Sequence, residues 1–157
     1  MSNNQTGKTI STVLHAEDNL EHCFFFEKAL NHVAPAARYN VVNDGLALIS
    51  FLANFIPDLL FLDLNMPCKN GVECIKEIRE NKLYDVLPIV VFTISSQENA
   101  IQAAYGFGAN LYFIKPKEFS LLVSSLQRIL SLDWDDPKSL AEKQFQNNRY
   151  EPFKAAK

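Results

Sequence analysis

Two hydrophobic patterns alternate five times along the chain. Short apolar runs rich in Val, Ile, Leu and Phe lie at residues 10–16, 39–42, 58–63, 88–93 and 110–115. Apolar residues at helical spacing follow each run, at 19–34, 48–56, 72–78, 101–108 and 119–129. The short runs are typical of buried parallel strands, and the longer segments are typical of amphipathic helices. The alternation predicts an α/β fold in which helices cover both faces of a parallel sheet.

Length and composition favour one domain with an appendage. A chain of 157 residues, 48% of them hydrophobic, can form one core of ordinary size. The alternating pattern occupies residues 10–132, after a polar segment at 1–9, and no output domain is expected after it. In the tail at 133–157, Asp136-Pro137 predicts the start of a short helix, because a capping residue precedes a proline. The tail is expected either to cross the domain as a strap or to be loose.

Charge, hydropathy and cysteine content argue against several classes of protein. The net charge of −3 leaves no basic excess for binding nucleic acid or an anionic membrane surface. No stretch approaches the ~18 apolar residues of a membrane-spanning helix. Cys23, Cys68 and Cys74 form no CxxC pair, so reduced thiols in a cytoplasmic protein are expected.

Polar residues follow the predicted strands at the edge where an open α/β sheet binds its ligands. These residues are Glu17, Asp18, Asp63, Thr93 and Lys115. Clustered carboxylates repel one another unless a hard cation neutralises them, and Mg²⁺ binds through one or two carboxylates together with water. With Lys115 beside the cluster, the site suits a transferring phosphoryl group. Asp63 is the expected nucleophile, and Thr93 is expected to donate to a phosphoryl oxygen.

These residues resemble the receiver domain of two-component response regulators. The matching features are, in order, Glu17-Asp18-Asn19, Asp63-Leu64-Asn65-Met66-Pro67 with Gly71, Thr93, and Lys115-Pro116. The resemblance covers about residues 10–132. It implies a flavodoxin-like (βα)5 three-layer sandwich with the parallel sheet order 2-1-3-4-5.

The resemblance implies a phosphoacceptor switch, which is not an enzyme acting on an external substrate. A sensor histidine kinase or a histidine phosphotransfer protein is the expected phosphate donor to Asp63. The expected Mg²⁺ ligands are Glu17, Asp18, Asp63 and the backbone carbonyl of Asn65.

The resemblance also implies how the switch works. Phosphorylation is expected to draw Thr93 inward and to change the rotamer of Tyr112. The interpretation of Tyr112 stays open between this switch role and ordinary packing of a strand residue on the core or rim. The face formed by the fourth helix, fifth strand and fifth helix is then expected to change and to bind a downstream protein or a second copy of the chain. The bond before Pro116 is expected to be cis. Ile94 is bulkier than the small residue often found after the strand-ending threonine, and we expect it to narrow access to Asp63.

Three other functions compete with this interpretation. A phosphatase of the haloacid dehalogenase type needs a second aspartate where this chain has Asn65, so it lacks the acid for its leaving group. A flavodoxin needs a phosphate loop rich in Ser, Thr and Gly, whereas the acidic Glu17-Asp18 pair lies in this loop. A receiver-like interaction module that works without phosphorylation remains the alternative.

Several other side chains have simpler expected roles. His15 is expected to be a satisfied core histidine, and His22 is expected to face solvent on the first helix. Trp134 and Phe153 are expected to anchor the tail. The interpretation of Phe24-Phe25 stays open between contact with the tail and a partner surface.

Overall fold

A computed structural model describes residues 7–155, which form a five-stranded parallel sheet with the order β2-β1-β3-β4-β5. The strands are β1 (Thr12–Ala16), β2 (Arg38–Val42), β3 (Leu59–Leu62), β4 (Ile89–Thr93) and β5 (Leu111–Ile114). The main helices are α1 (Leu20–Val33), α2 (Gly45–Asn54), α3 (Gly71–Glu80), α4 (Glu98–Phe107) and α5 (Phe119–Leu130). The predicted fold class and sheet order are confirmed.

The helices form two layers, one on each face of the sheet. Phe26 of α1 and Leu126 of α5 belong to the apolar cluster on one face. Leu48 of α2, Ile75 of α3 and Ala104 of α4 belong to the cluster on the other face. Every residue of β3 and β4 is buried, as strands covered on both sides should be. Across residues 7–155, no helix is long and apolar enough to cross a bilayer.

The first strand begins later than its apolar run predicts. The amides of Ser11 and Thr12 donate to Asp58 Oδ2 at 2.8 and 3.0 Å. The Asp58 carboxylate therefore satisfies two backbone N–H groups at the start of β1. The strands β1 and β3 start at Thr12 and Leu59, inside the predicted runs at 10–16 and 58–63.

The C-terminal residues pack against the domain. They form α6 (Pro137–Lys143), β6 (Phe145–Gln146) and β7 (Arg149–Tyr150), and the last two pair as a hairpin. Trp134 is 2% exposed, and its indole N–H donates to the carbonyl of Ile129 at 2.8 Å. Phe153 makes a parallel bridge to Phe113 of β5. The tail therefore crosses the domain as a strap.

His15 is fully buried in β1. Its ring centroid lies 4.3 Å from that of Phe26, and its Nδ1 lies 2.9 Å from the hydroxyl of Tyr39. Its Nε2 has no hydrogen-bond partner within residues 7–155. The expectation of a core histidine with its hydrogen bonds satisfied therefore holds for one ring nitrogen and not for the other. Burial, followed by the charge of Lys115, lowers the pKa of His15 to about 3, and the folded protein therefore holds a neutral imidazole.

We predict that His15 makes the fold sensitive to acid. The unfolded chain protonates this histidine below about pH 6.5, whereas the folded ring stays neutral down to about pH 3. The unfolded state binds more protons in this window, so stability falls as the pH decreases. Between pH 6.5 and 5, His15 should remove about 2 kcal/mol from the free energy of unfolding.

Urea unfolding of the wild type and of His15→Leu at pH 7 and pH 5 measures this contribution. The variant should lose about 2 kcal/mol less stability than the wild type on acidification. Equal losses in the two proteins would contradict the prediction.

Candidate functional site

The carboxyl ends of β1, β3 and β5 bring Glu17, Asp63 and Lys115 together. Each residue directly follows its strand, so parallel pairing places all three at one edge of the sheet. Lys115 Nζ lies 2.9 Å from Glu17 Oε2 and 2.9 Å from Asp63 Oδ2. Glu17 is 1% exposed and Asp63 is 6% exposed, so the ammonium group compensates a buried pair of carboxylates.

The neighbours of the two carboxyl groups give them different proton affinities. Burial raises the pKa of Glu17 to about 7, and the adjacent Asp63 carboxylate contributes to this shift. Burial also acts to raise the pKa of Asp63, but hydrogen bonds from Glu17, the Asn65 amide and Lys115 outweigh it and hold that pKa below its usual value. Asp63 is therefore the ionised member of the pair. Its Oδ1 accepts the Asn65 amide at 3.0 Å, and its Oδ2 accepts Lys115.

The chain after Asp63 returns close to the site because of Gly71. A Cβ atom at this glycine would lie 2.5 Å from the carbonyl oxygen of Asp63 and 2.6 Å from Cα of Leu64. Any larger residue would push the loop away from Asp63. The glycine of the sequence motif therefore has a steric role in shaping the site.

Thr93 ends β4 beside the acidic pair, and its hydroxyl is buried. Its backbone carbonyl accepts the amide N–H of Lys115 at 2.7 Å. Its Oγ1 has no hydrogen-bond partner among the residues that the structure describes. A buried hydroxyl without a partner is costly, so Thr93 marks a place where an entering group can supply the missing bond.

Two of the three expected acidic side chains are assembled. Asp18 is exposed, whereas Glu17 and Asp63 are buried together. In the part of the chain that the structure describes, no group of three His, Cys, Asp or Glu side chains is arranged to hold a metal ion. Lys115 compensates the charge of the buried pair, and water can solvate Asp18. Mg²⁺ needs only one or two carboxylates, so these oxygen donors fit a hard divalent cation in their chemistry.

His22 contacts Lys115, which the sequence analysis missed. Its Nδ1 lies 2.9 Å from Lys115 Nζ and 3.5 Å from Glu17 Oε1, while 37% of its side chain stays exposed, so the expected solvent-facing residue also contacts the site. The reason is local, since Asn19 accepts the amide of His22 and turns the first residues of α1 toward the site. Burial, followed by the charge of Lys115, lowers the pKa of His22 and favours a neutral ring that accepts from the ammonium group. The capping Asn19 is the sequence signal that could have located this contact.

Tyr112 is fully buried in β5. Its hydroxyl donates to the carbonyl of Ser95 at 2.8 Å. Ser95 lies in the loop between β4 and α4, two residues after Thr93. The residue thus connects this loop with β5, and its change of rotamer on phosphorylation stays a prediction.

The bond between Lys115 and Pro116 is trans. Within residues 7–155 there is no cis peptide bond, so the expected cis proline is wrong. The trans isomer of a bond to proline is favoured by about 0.5–1 kcal/mol. Lys115 reaches both carboxylates from the trans backbone, so the observed site does not require the costlier isomer.

A cavity of about 410 Å³ opens beside Lys115. Its walls include His22, Phe25, Ile94 and Phe119. Ile94 is 67% exposed, so most of its side chain remains in solvent. The effect of Ile94 on access to Asp63 stays a prediction.

The fold and the site together define a receiver domain of phosphorelay signalling. Residues 13–127 match the family model of the response regulator receiver domain, and the chain belongs to this family. The resemblance seen in the sequence is thereby confirmed.

Relatives and solved structures agree with this assignment. The probable methanogenesis regulatory protein FilR2 of Methanothrix harundinacea (strain 6Ac) is 28% identical over 123 residues, which cover 74% of this chain and 79% of that protein. Response regulator Rcp1 of Synechocystis is 35% identical over 98 residues, which cover 58% of this chain and 67% of that protein. The crystal structure of the phosphorylated cyanobacterial phytochrome response regulator RcpA has a TM-score of 0.71 at 29% identity, covering 76% of this chain and 91% of that one. The Mn²⁺-bound form of Rcp1 has a TM-score of 0.71 at 29% identity, covering 78% and 93%.

Removal of the lysine ammonium should destabilise the metal-free protein. Lys115→Met leaves two buried carboxyl groups without their countercharge, and breaking a buried ion pair costs roughly 3–5 kcal/mol. We expect a loss of about 3 kcal/mol at pH 8. The loss should be smaller at pH 6, because the pKa of Glu17 is already raised to about 7 with Lys115 present and a proton can replace the ammonium.

Urea unfolding in EDTA measures this loss, with Lys117→Met as the matched control. Lys117 is exposed two residues further along the chain, so its variant should unfold like the wild type. An unchanged free energy of unfolding in Lys115→Met would show that the ion pair does not compensate the buried charge.

Proposed function

We propose that this chain is a response regulator in which Asp63 accepts a phosphoryl group from a protein histidine and thereby switches a protein-binding face. The observation that carries the proposal is the contact of Lys115 Nζ with Asp63 and Glu17, at 2.9 Å each, in a member of the receiver family. The protein acts as a cytoplasmic phosphoacceptor and not as an enzyme with an external substrate. A sensor histidine kinase or a histidine phosphotransfer protein supplies the phosphate.

The geometry suits nucleophilic attack by Asp63. A carboxylate oxygen forms the new P–O bond while the P–N bond to the donor imidazole breaks, and the imidazole nitrogen keeps the electron pair of that bond. The lowered pKa keeps Asp63 ionised for this attack. Hydrogen bonds from the Asn65 amide and from Lys115 hold the two carboxylate oxygens and fix their direction.

Mg²⁺ is the proposed cofactor. The residues proposed to hold it are Glu17, Asp18, Asp63 and the backbone carbonyl of Asn65. When bound, the cation would neutralise negative charge on the phosphoryl oxygens. The Mn²⁺-bound structure of Rcp1 supports a divalent cation, since that protein has the same fold.

Thr93 and Tyr112 are proposed to transmit the change. The Thr93 hydroxyl, which lacks a partner among the described residues, can donate to a phosphoryl oxygen. Its inward movement shifts the following loop, where Ser95 accepts the hydroxyl of Tyr112. The face formed by α4, β5 and α5 then changes, and a downstream protein or a second copy of the chain binds there.

Exposed apolar side chains near the site support docking of the phosphate donor. Phe24 is 54% exposed, Phe25 is 43% exposed and Ile94 is 67% exposed. The Phe25 and Phe119 rings, 6.5 Å apart, join this patch to α5 beside the cavity. An apolar patch next to a nucleophile fits a donor protein, because the donor histidine must come within bonding distance of Asp63.

Incubation with acetyl phosphate followed by intact-mass spectrometry tests the proposal. The wild type should gain one phosphoryl group in Mg²⁺ and none in EDTA. Asp63→Asn should gain none, because the amide is a poor nucleophile. Asp85→Asn is the matched control, since Asp85 is an exposed aspartate between α3 and β4, and it should behave like the wild type.

Two results would contradict the proposal. An adduct that persists in Asp63→Asn would place the acceptor elsewhere. Absence of an adduct on the wild type, together with failure to bind the phosphoryl analogue beryllofluoride, would favour an interaction module that works without phosphorylation.

A further inference from the structure

The C-terminal strap, residues 145–154, lies on the same face that is proposed to change on phosphorylation. The amide of Phe153 donates to the backbone carbonyl of Tyr112 at 2.7 Å, and Phe153 pairs in parallel with Phe113. The strap therefore occupies the free edge of β5. An unpaired edge strand is a ready site for another chain, and this chain covers part of that edge with its own residues.

Helix α4 binds the strap through Gln102, Tyr105 and Glu98. The Glu98 carboxylate lies 3.5 Å from Arg149 Nη1. Gln102 Nε2 donates to the carbonyl of Tyr150 at 2.7 Å, and Gln102 Oε1 accepts the amide of Tyr150 at 2.9 Å. The ring of Tyr105 stacks on that of Tyr150 with 4.6 Å between centroids. The amide of Gln102 thus satisfies both backbone groups of one strap residue.

Helix α5 binds the end of the strap. Arg128 donates to the carbonyl of Lys154 at 2.9 Å, and its guanidinium lies 4.8 Å from the centroid of the Phe153 ring. All three elements of the face therefore hold the strap, through residues far from it in sequence.

We propose that the strap is the resident ligand of the α4–β5–α5 face. We further propose that a phosphoryl group or its analogue at Asp63 weakens the contacts between the strap and this face. This second step rests on the proposed function. Another protein that uses this face, a second copy of the chain included, has to displace the strap.

Tyr112 links the Asp63 site to the strap. Its hydroxyl donates to Ser95 in the loop after Thr93, and its backbone carbonyl accepts the amide of Phe153. Its amide donates to the hydroxyl of Tyr105, which in turn donates to the carbonyl of Glu151. A shift of the loop and α4 relative to β5 cannot preserve all of these bonds, because the strap is bound to both elements.

The strap can separate from the domain without unfolding it. The hairpin has two residues in each strand, and isolated two-stranded hairpins are marginally stable. Tyr150 and Phe153 are only partly buried, whereas Trp134 and Leu140 before them are 2% and 5% exposed. Release therefore ends at α6, which stays anchored by Trp134 and Leu140.

Amide hydrogen exchange on the full chain tests the proposal. Exchange of residues 145–154 is compared with and without beryllofluoride and Mg²⁺, with Asp63→Asn as the variant that cannot form the adduct. In the wild type, exchange of the Tyr150 and Phe153 amides should become at least about fivefold faster on loading, as expected for typical coupling between two sites. Asp63→Asn should show no change.

A second variant tests whether weaker binding of the strap changes the affinity of the Asp63 site. Gln102→Ala removes both α4 hydrogen bonds to Tyr150, so the strap should exchange faster without any ligand. Because coupling is reciprocal, this variant should also bind beryllofluoride more tightly than the wild type does. Gln127→Ala is the matched control, since Gln127 is an exposed glutamine on α5, and it should change neither quantity.

The outcomes separate this proposal from the proposed function. If beryllofluoride binds the wild type and strap exchange stays the same, the coupling is wrong and the phosphoacceptor function stands. If acetyl phosphate gives no adduct and beryllofluoride does not bind, the proposed function fails and the coupling fails with it. Unchanged strap exchange in Gln102→Ala would overturn the role of Gln102 in holding the strap.

Discussion

The site depends on the contacts of the Lys115 ammonium group with two buried carboxyl groups. The adjacent strands β1 and β3 place Glu17 and Asp63 side by side in a buried position, where two negative charges repel each other. Lys115 follows β5, so its side chain must reach past β4 to contact them. Its Nζ lies 5.5 Å from the centroid of the Phe92 ring of β4, which provides an apolar and weakly attractive support for this reach.

The same strand carries the two ends of the proposed switch. Lys115 follows the last residue of β5 and holds the acidic pair, whereas Tyr112 within β5 contacts both the β4–α4 loop and the strap. A change in the charge around Lys115 and a change in the position of Ser95 therefore act on one strand. In the proposed switch, a reaction at the edge of the sheet alters the contacts of the C-terminal residues through this strand.

The fold and the central site residues were predictable because their causes are local. The continuous apolar runs of β3 and β4 indicate buried parallel strands, and residues that follow such strands share one edge. The contact of His22 with Lys115 depends on the orientation of the first turn of α1 relative to that edge. The spacing of apolar residues does not determine this orientation. The strap is harder still, since Gln102 and Tyr150 are 48 residues apart and no local pattern pairs them.

Chemical mapping of the modified residue is the sharpest test of the proposed conversion of Asp63 to an acyl phosphate. Borohydride reduces an acyl phosphate of aspartate to homoserine, whereas an unmodified carboxylate does not react. After treatment with acetyl phosphate and Mg²⁺, peptide sequencing by mass spectrometry should find homoserine at position 63. Homoserine at another aspartate, or a phosphoryl group on a histidine or serine with Asp63 unchanged, would rule out Asp63 as the acceptor.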